Sequence, residues 1–265
     1  MDSNMFTFDV REIGSSHIAN HKPCQDYSLS YSTDTYCIAI VADGHGSDKC
    51  FRSDIGSQQA AEITKKVLCA FAKDTKDFTS LPNNDWQRQI ASSIITLWGQ
   101  SIEKDKESRP FTDKEWRKIG ADSWQSVYGT TLLAVVRTPS CFFALHIGDG
   151  KCVTIDANGT MSQPIPWDER CFLNQTTSLC MDSALQAFRF VYMTENLPQS
   201  VFIGSDGVDD TYTNDDLLYA FYQKVDAMIR SNEEEGIAQL KEFLPQMTLR
   251  GSHDDISIAG IICHD

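Results

Sequence analysis

The sequence predicts an α+β fold with antiparallel sheets. Short β-branched or aromatic runs and longer helical patterns come in blocks along the 265 residues, and they do not alternate strictly. Such block-wise order is typical of α+β proteins, whereas strict alternation is typical of parallel α/β sheets. The hydrophobic fraction of 41% supplies enough apolar side chains for a sizeable core. We therefore expect residues 1–265 to form a single domain.

The first half of the chain is predicted to contain three strands and two helices, at 5–13, 29–31, 36–42, 54–71 and 86–102. The run Tyr36–Ala42 is continuously apolar, which is typical of a strand buried on both faces. In the segments 54–71 and 86–102, apolar side chains recur with the period of a helix. A loop at 73–84 joins the two helices, and the charged stretch 104–122 predicts a surface connection with a short helix around Trp116.

The second half begins with three short β runs at 130–137, 141–147 and 151–156, joined by tight turns that predict a meander. The polar segment 161–185 follows; a loop of this length inside a compact chain is usually functional or mobile. Further strands are predicted at 188–193, 201–204 and 256–263, and helices at 213–229 and 233–244. Thr213–Asp216 places a capping residue ahead of acids, as at a helix N-terminus.

The net charge and the cysteines of the chain indicate which binding partners and which cellular compartment to expect. The net charge of −14 disfavours nucleic-acid phosphate and anionic membranes as partners. The nine cysteines are scattered without a CxxC pair, which favours reduced thiols in a cytoplasmic protein over a zinc site. Residues 1–10 lack the features of a signal peptide, and no apolar run approaches ~18 residues, so we expect no membrane span.

Four short acidic motifs are the strongest functional signal: Gln25–Asp26, Asp43–Gly46, Ser205–Gly207 and Asp254–Asp255. Three of them lie where an apolar run stops or starts, so folding can gather their carboxylates. Each motif alone is no more specific than a turn. Together they supply carboxylate and carbonyl oxygens and no soft ligand cluster, which favours Mg²⁺ or Mn²⁺ over Zn²⁺. Two such ions ~4 Å apart activate a water and clamp a phosphoryl group.

Other catalytic templates are poorly matched. The sequence has no phosphate-binding loop, dinucleotide fingerprint, nucleophile elbow or HExxH motif. Nothing specifically supports a cysteine nucleophile. His45 follows the second acidic motif, where it can serve as a proton donor near neutral pH.

The segment Val41–Gly46 resembles the signature of the PP2C-type, metal-dependent Ser/Thr protein phosphatases. Gln25–Asp26, with the Gly-Ser-Ser-His sequence that precedes it at 14–17, resembles a mostly bacterial subgroup of that family. Further motifs that resemble those of the family follow in the right order, at Gly129–Thr131, Ile147–Lys151, Gly204–Asp210 and Ser252–Ser257. The resemblance covers nearly the whole chain. It implies a four-layer α/β/β/α sandwich, in which two central antiparallel sheets are flanked by helices, with a two-metal centre in a cleft at the sheets' edges.

By the same resemblance, the implied metal ligands are Asp26, Asp43, Gly44, Asp149, Asp206 and Asp254. Asp43 is expected to bridge two ions. The carbonyl of Gly44 is expected to bind one of them, which Asp26 reaches directly or through water. Asp206 and Asp254 are expected to hold the other ion.

The resemblance also implies roles outside the first two ions. Asp149, together with Asp206, is expected to hold a third and weaker ion, and His45 to be the general acid for the leaving group. The family usually has an arginine for substrate phosphate where this chain has Lys22, which binds phosphate as a point charge and not as a bidentate fork. Asp255 replaces a usual asparagine. Residues 161–185 take the place of the family's flap and keep little of its sequence.

The predicted function is hydrolysis of phosphoserine and phosphothreonine in proteins, by direct attack of a metal-activated water. The expected partners are a phosphorylated protein and a Ser/Thr kinase of the same pathway, with no nucleic acid and no membrane. Two alternatives remain open. One is a catalytically weak, phosphatase-like binding module, and the other is a metal-dependent phosphoesterase that acts on small molecules.

Overall fold

The computed structural model describes residues 5–83, 85–172 and 175–264. The strands are β1 (Met5–Glu12), β2 (Tyr27–Ser32), β3 (Cys37–Ala42), β4 (Leu132–Thr138), β5 (Cys141–Ile147), β6 (Lys151–Ile155), β7 (Met161–Ser162), β8 (Arg189–Met193), β9 (Ser200–Gly204) and β10 (Ile256–Cys263). The helices are α1 (Ser15–Ala19), α2 (Ser53–Asp74), α3 (Trp86–Ser108), α4 (Asp113–Ile119), α5 (Ala184–Ala187), α6 (Asp206–Asp209), α7 (Asp215–Ser231) and α8 (Glu233–Arg250). Short 3₁₀ helices cover Phe78–Asn83 and Trp124–Tyr128.

The strands form two five-stranded sheets, in which every pair of neighbours is antiparallel. One sheet has the order β2-β3-β4-β5-β8, and the other has the order β1-β10-β9-β6-β7. The outer strand β1 pairs with β10 over its whole length, from Met5 opposite Cys263 to Glu12 opposite Ile256. The first and last strands of the chain therefore lie side by side.

Three hydrophobic clusters show how the layers stack. One cluster joins the first sheet to α2 and α3, and another joins the second sheet to α7 and α8. The third cluster lies between the two sheets. This arrangement confirms the predicted α/β/β/α sandwich.

Strand β3 illustrates why the apolar run at its position is continuous. Ile38, Ile40 and Ala42 belong to the cluster under the helices, whereas Cys37, Ala39 and Val41 belong to the cluster between the sheets. Successive side chains of a strand point to opposite faces, so a strand with two covered faces needs apolar residues at every position. All six residues are buried, as the sequence predicts.

The structure corrects the predicted meander. Strands β4 and β5 form a hairpin, but β6 crosses to the other sheet and pairs with β9 and β7. The turn at 148–150 is as short as a hairpin turn, so turn length alone does not reveal the crossing. It carries the chain between the sheets, and Asp149 lies in it.

Several predicted boundaries also change. Helix α8 continues through Pro245 to Arg250, because Met247 and Thr248 beyond the proline remain buried, as Leu244 is before it. The sequence prediction misses the short elements α1, β7, α5 and α6, which are two to five residues long. The predicted short helix around Trp116 is present as α4.

Three predicted loop positions, Asn84 in 73–84 and residues 173 and 174 in 161–185, lie outside the described residues. Within the described part of the chain, none of the helices has the length and apolar character needed to cross a membrane.

Candidate active site

A cleft of about 820 Å³ opens where strands of both sheets end. Four acidic residues from four different strand ends line it: Asp43, Asp149, Asp206 and Asp254. The other lining residues are Gly44, His45, Gly46, Ser47, Cys50, Thr131, Arg170, Gln175, Thr176, Thr177 and Met181. The structure thus brings together most of the residues that the sequence singles out.

Asp43 is fixed by the start of the neighbouring strand. Its backbone N–H donates to Thr131 Oγ1 at 3.1 Å, and its carbonyl accepts from the N–H of Thr131 at 2.8 Å. The hydroxyl of Thr130 donates to the same carbonyl at 2.9 Å. The predicted Gly129–Thr131 motif therefore holds the backbone at Asp43 and directs its carboxylate to the cleft.

Gly44 allows the chain segments of the site to approach closely. A Cβ at this position would lie 2.5 Å from the carbonyl oxygen of Gln25 and 2.7 Å from that of Ser53, so only glycine fits. The Gly44 N–H donates to the Gln25 carbonyl at 3.1 Å. This contact brings the first acidic motif against the second.

Asp206 begins the short helix α6, which two hydrogen bonds attach to the start of β10. The Ser205 N–H donates to the Ser257 carbonyl at 3.1 Å, and the Ser257 N–H donates to Ser205 Oγ at 3.0 Å. Asp254 precedes β10 with its side chain half exposed, and its Oδ1 accepts from the Asp255 N–H at 2.8 Å. The third and fourth motifs are therefore positioned together.

Asp255 is a buried structural carboxylate that ties both ends of the chain to the site. It accepts from the N–H groups of Gly14 and Gln25, each at 2.6 Å. Its Oδ2 also lies 2.9 Å from Nδ1 of His17. With both oxygens engaged in this way, Asp255 fixes the segment that leads to Asp26 against the segment that carries Asp254.

The turn that carries Asp149 is held by residues 161–185, which we call the flap. Gly148 has φ +121°, a conformation that favours glycine. Its N–H donates to Thr177 Oγ1 of the flap at 3.0 Å. Its carbonyl accepts from Nη2 of Arg189 in β8. The flap and the turn of Asp149 therefore form one hydrogen-bonded unit.

The acidic cluster carries an excess of buried negative charge. Burial, followed by repulsion from Asp255 and Asp206, raises the pKa of Asp26 to about 8. Burial and neighbouring carboxylates also raise the pKa of Asp206 to about 6 and that of Asp43 well above its ordinary value. Mainly burial raises the pKa of Asp149. Such a cluster needs positive charge to become fully ionised.

Asp26 lies behind the cleft and does not line it. It is buried, and its Oδ2 has no hydrogen-bond partner among the described residues. An unpartnered buried carboxylate oxygen beside other carboxylates fits a hard divalent cation that is coordinated by oxygen. The donor set thus suits Mg²⁺ or Mn²⁺.

His45 lines the cleft next to Asp43 and Gly44. Its backbone N–H donates to the Gly129 carbonyl at 3.0 Å, and its backbone carbonyl accepts from Ser53 Oγ at 2.9 Å. Burial lowers its pKa to about 4, so the imidazole of the free protein is neutral at pH 7. It can therefore donate one hydrogen bond from its neutral ring.

Lys22 lies outside the cleft lining. Its ammonium donates to the Gly46 carbonyl at 2.9 Å and lies 3.5 Å from Oδ1 of Asp48. The cation that does line the cleft is Arg170 of the flap, which the sequence reading does not identify. It also misses His17. A lone arginine in an aperiodic loop and a histidine on a five-residue helix carry no spacing signal.

Comparison with known proteins identifies the family of this chain. The family profile described as Protein phosphatase 2C matches residues 13–245. The chain belongs to the protein phosphatase 2C family. It is therefore a protein-serine/threonine phosphatase by family, as the acidic motifs predict. No sequence match is found among curated proteins.

Solved structures show that this protein phosphatase 2C shares its fold with distant relatives. A bacterial serine phosphatase superposes with a TM-score of 0.64 at 14% identity, covering 98% of both chains. PppA of Pseudomonas aeruginosa gives 0.63 at 13% identity, covering 99% of both chains. The catalytic domain of PstP, in complex with two manganese ions, gives 0.60 at 14% identity, covering 98% of this chain and 99% of PstP.

Proposed function

We propose that this protein phosphatase hydrolyses phosphoserine and phosphothreonine in proteins with a binuclear Mg²⁺ or Mn²⁺ centre in the acidic cleft. The observation that carries this proposal is the convergence of carboxylates from both sheets on one cleft. Burial and mutual repulsion raise their pKa values, and divalent cations would remove that cost. PstP was solved with two manganese ions and RsbX with magnesium, which supports the same chemistry here.

The ligand set that we propose is the one that the family resemblance implies. Asp43 would be shared between two ions, with the Gly44 carbonyl and Asp26 on one side. Asp206 and Asp254 would complete the other side. Asp149, on its flap-bound turn, would serve a third and weaker ion. When bound, the metal ions would supply an activated water and neutralise phosphate charge.

The protein's own groups would position the substrate and stabilise its leaving oxygen. The backbone of His45 is fixed at the cleft wall by Gly129 and Ser53, and its imidazole would donate a hydrogen bond to the leaving oxygen when neutral and a proton when charged. The half-exposed Asp254 would leave one side of the cleft open to an incoming phosphoprotein. Water would attack the phosphorus directly, so no phosphoenzyme would form.

Three further proposals complete the functional assignment. Residues 1–265 form one catalytic domain, which the shared cluster between the two sheets supports. The substrate is phosphorylated by a Ser/Thr kinase of the same pathway, as family membership suggests. The protein works in the cytoplasm, in agreement with its nine scattered cysteines.

The test is hydrolysis of p-nitrophenyl phosphate and of a phosphothreonine peptide by the Mn²⁺-loaded protein. Asp43→Asn and Asp206→Asn should each lower kcat/KM at least ~100-fold and weaken Mn²⁺ binding in calorimetry, because each removes a charged ligand. Asp216→Asn, on the exposed first turn of α7, is the matched control and should retain activity. Full activity in either site variant, or activity that survives chelation, would contradict the mechanism.

The same assays distinguish the alternatives. Turnover of small phosphate esters without turnover of phosphopeptides would identify a small-molecule phosphoesterase. Tight phosphopeptide binding without turnover under any divalent metal would identify a binding module.

A further inference from the structure

The charge of the cleft raises a question about substrate binding. The cleft is lined by four carboxylates, and a phosphate monoester adds a charge of about −2 at pH 7. Among the described residues that line the cleft, Arg170 is the one lysine or arginine. The ammonium of Lys22 is occupied at Gly46 and Asp48, outside that lining.

The guanidinium of Arg170 is held along one edge. Nε lies 2.8 Å from Oδ1 of Asp168, and Nη2 lies 3.0 Å from Oδ2 of the same carboxylate. Nη2 also donates to the Ala187 carbonyl at 3.2 Å. Nη1 makes no hydrogen bond within the described part of the chain, and 49% of the side chain is exposed. One edge is therefore anchored, while Nη1 remains available at the cleft.

The carboxylate that anchors Arg170 is buried and hydrogen-bonded toward the turn that carries Asp149. Asp168 is buried, and its Oδ2 also accepts from Thr177 Oγ1 at 3.1 Å. The same hydroxyl accepts from the Gly148 N–H at 3.0 Å, in the turn that carries Asp149. Two hydrogen bonds thus connect the carboxylate that orients Arg170 to the turn of a proposed metal ligand.

We infer that Arg170 binds the phosphoryl group of the substrate, the role that the sequence resemblance gives to Lys22. The inference rests on the proposed function, because it assigns a residue to the same cleft. A pre-oriented guanidinium loses little entropy on binding and donates directional hydrogen bonds to phosphate oxygens, which an ammonium does not. The flap would then supply a phosphate ligand as well as a wall of the cleft.

Kinetics of Arg170→Ala test this role. We expect KM to rise ~10-fold or more for both p-nitrophenyl phosphate and the phosphothreonine peptide, because the phosphoryl group is common to both. The inhibition constant of inorganic phosphate should weaken by a similar factor. Arg170→Lys should recover part of the loss, and free guanidinium should partly restore Arg170→Ala. Arg117→Ala, at an exposed position of α4, is the matched control and should leave KM unchanged, and Lys22→Ala should have a smaller effect than Arg170→Ala.

Binding measurements keep the inference separate from the proposed function. If the wild-type protein shows no turnover, the proposed function fails, and calorimetry of inorganic phosphate with the Mn²⁺-loaded protein still tests Arg170. A tenfold weaker phosphate affinity in Arg170→Ala, with an unchanged melting temperature, would support the inference. Unchanged phosphate affinity and KM in Arg170→Ala would overturn it, as would a larger effect of Lys22→Ala.

Discussion

At the scale of single residues, Asp255 connects parts of the chain that are far apart in sequence. The carboxylate accepts backbone N–H groups from Gly14 and Gln25, and it contacts His17. An asparagine at this position, usual in the family, presents one acceptor oxygen and a donor NH₂ group. In this chain the second oxygen faces the Gln25 N–H, so the two side chains are not equivalent here.

Asp255→Asn should therefore destabilise the protein by about 1–3 kcal/mol, because it leaves a buried N–H donor without an acceptor. Urea unfolding of the metal-free protein measures this change. Asp182→Asn, at an exposed position of the flap, is the control and should change the free energy of unfolding by less than about 0.5 kcal/mol. Equal stability of the two variants would show that Asp255 is not a structural anchor.

Residue-level prediction from sequence succeeds where a motif has a fixed place on a strand. Asp43, Asp206 and Asp254 each stand at the end or start of an apolar run, so their convergence follows from the sheets. Arg170 and His17 lack such a reference. Asp168, in the same aperiodic loop, orients Arg170. Asp255, which is distant in sequence, contacts His17.

At the scale of elements, the flap contains an ion pair between the buried Asp168 and the half-exposed Arg170. Burial alone would raise the pKa of Asp168, but hydrogen bonds from Arg170 and the charge of Arg189 outweigh it and lower the pKa. The buried His146 nearby has a pKa well below its ordinary value, so it adds no charge near neutral pH. The carboxylate therefore stabilises the folded state when it is ionised.

The pH dependence of stability tests this pair. A carboxyl group with a lowered folded-state pKa contributes its full stability above its unfolded pKa of about 3.9, and loses it as the pH falls through the folded value. The difference in unfolding free energy between the wild type and Asp168→Asn should be constant from pH 6 to 8 and shrink below about pH 4. The exposed-site control Asp182→Asn should show no such trend. A difference that is the same at pH 3 and pH 7 would exclude the ion pair.

Element-level prediction fails at the turn between β5 and β6 for a physical reason. The same local sequence of a tight glycine turn can join two strands of one hairpin, or it can join two strands that belong to different sheets. The choice is made by packing: Phe142 and Cys152 both belong to the cluster between the sheets, which requires the strands on opposite sides of it. Such a requirement depends on the whole core and not on the turn.

At the scale of the whole molecule, metal binding should appear as stability. A ligand at 100 times its dissociation constant stabilises the folded state by about 2.7 kcal/mol. For a protein of this size, that corresponds to a rise in melting temperature of roughly 5–10 °C. Mn²⁺ should produce such a rise in the wild type and a smaller one in Asp206→Asn.

Sodium chloride at matched ionic strength is the control. The net charge of −14 repels itself, so any salt that screens this repulsion can raise the melting temperature. A rise of equal size with sodium chloride would show that general screening, and not a specific site, explains the stabilisation. Chelation should reverse the effect of Mn²⁺ completely.

The pairing of β1 with β10 has a consequence for how the molecule folds. Residues 5–12 find their partners at 256–263, so the edge of one sheet closes across almost the whole chain. Contacts of such high sequence separation slow folding, because loop-closure entropy is lost before the contacts form. The Gln25 N–H and the Asp255 carboxylate, next to Asp26 and Asp254, likewise come together from opposite ends of the chain. Recovery of metal binding during refolding should therefore follow the slowest phase, and early folding intermediates should bind no metal at this cleft.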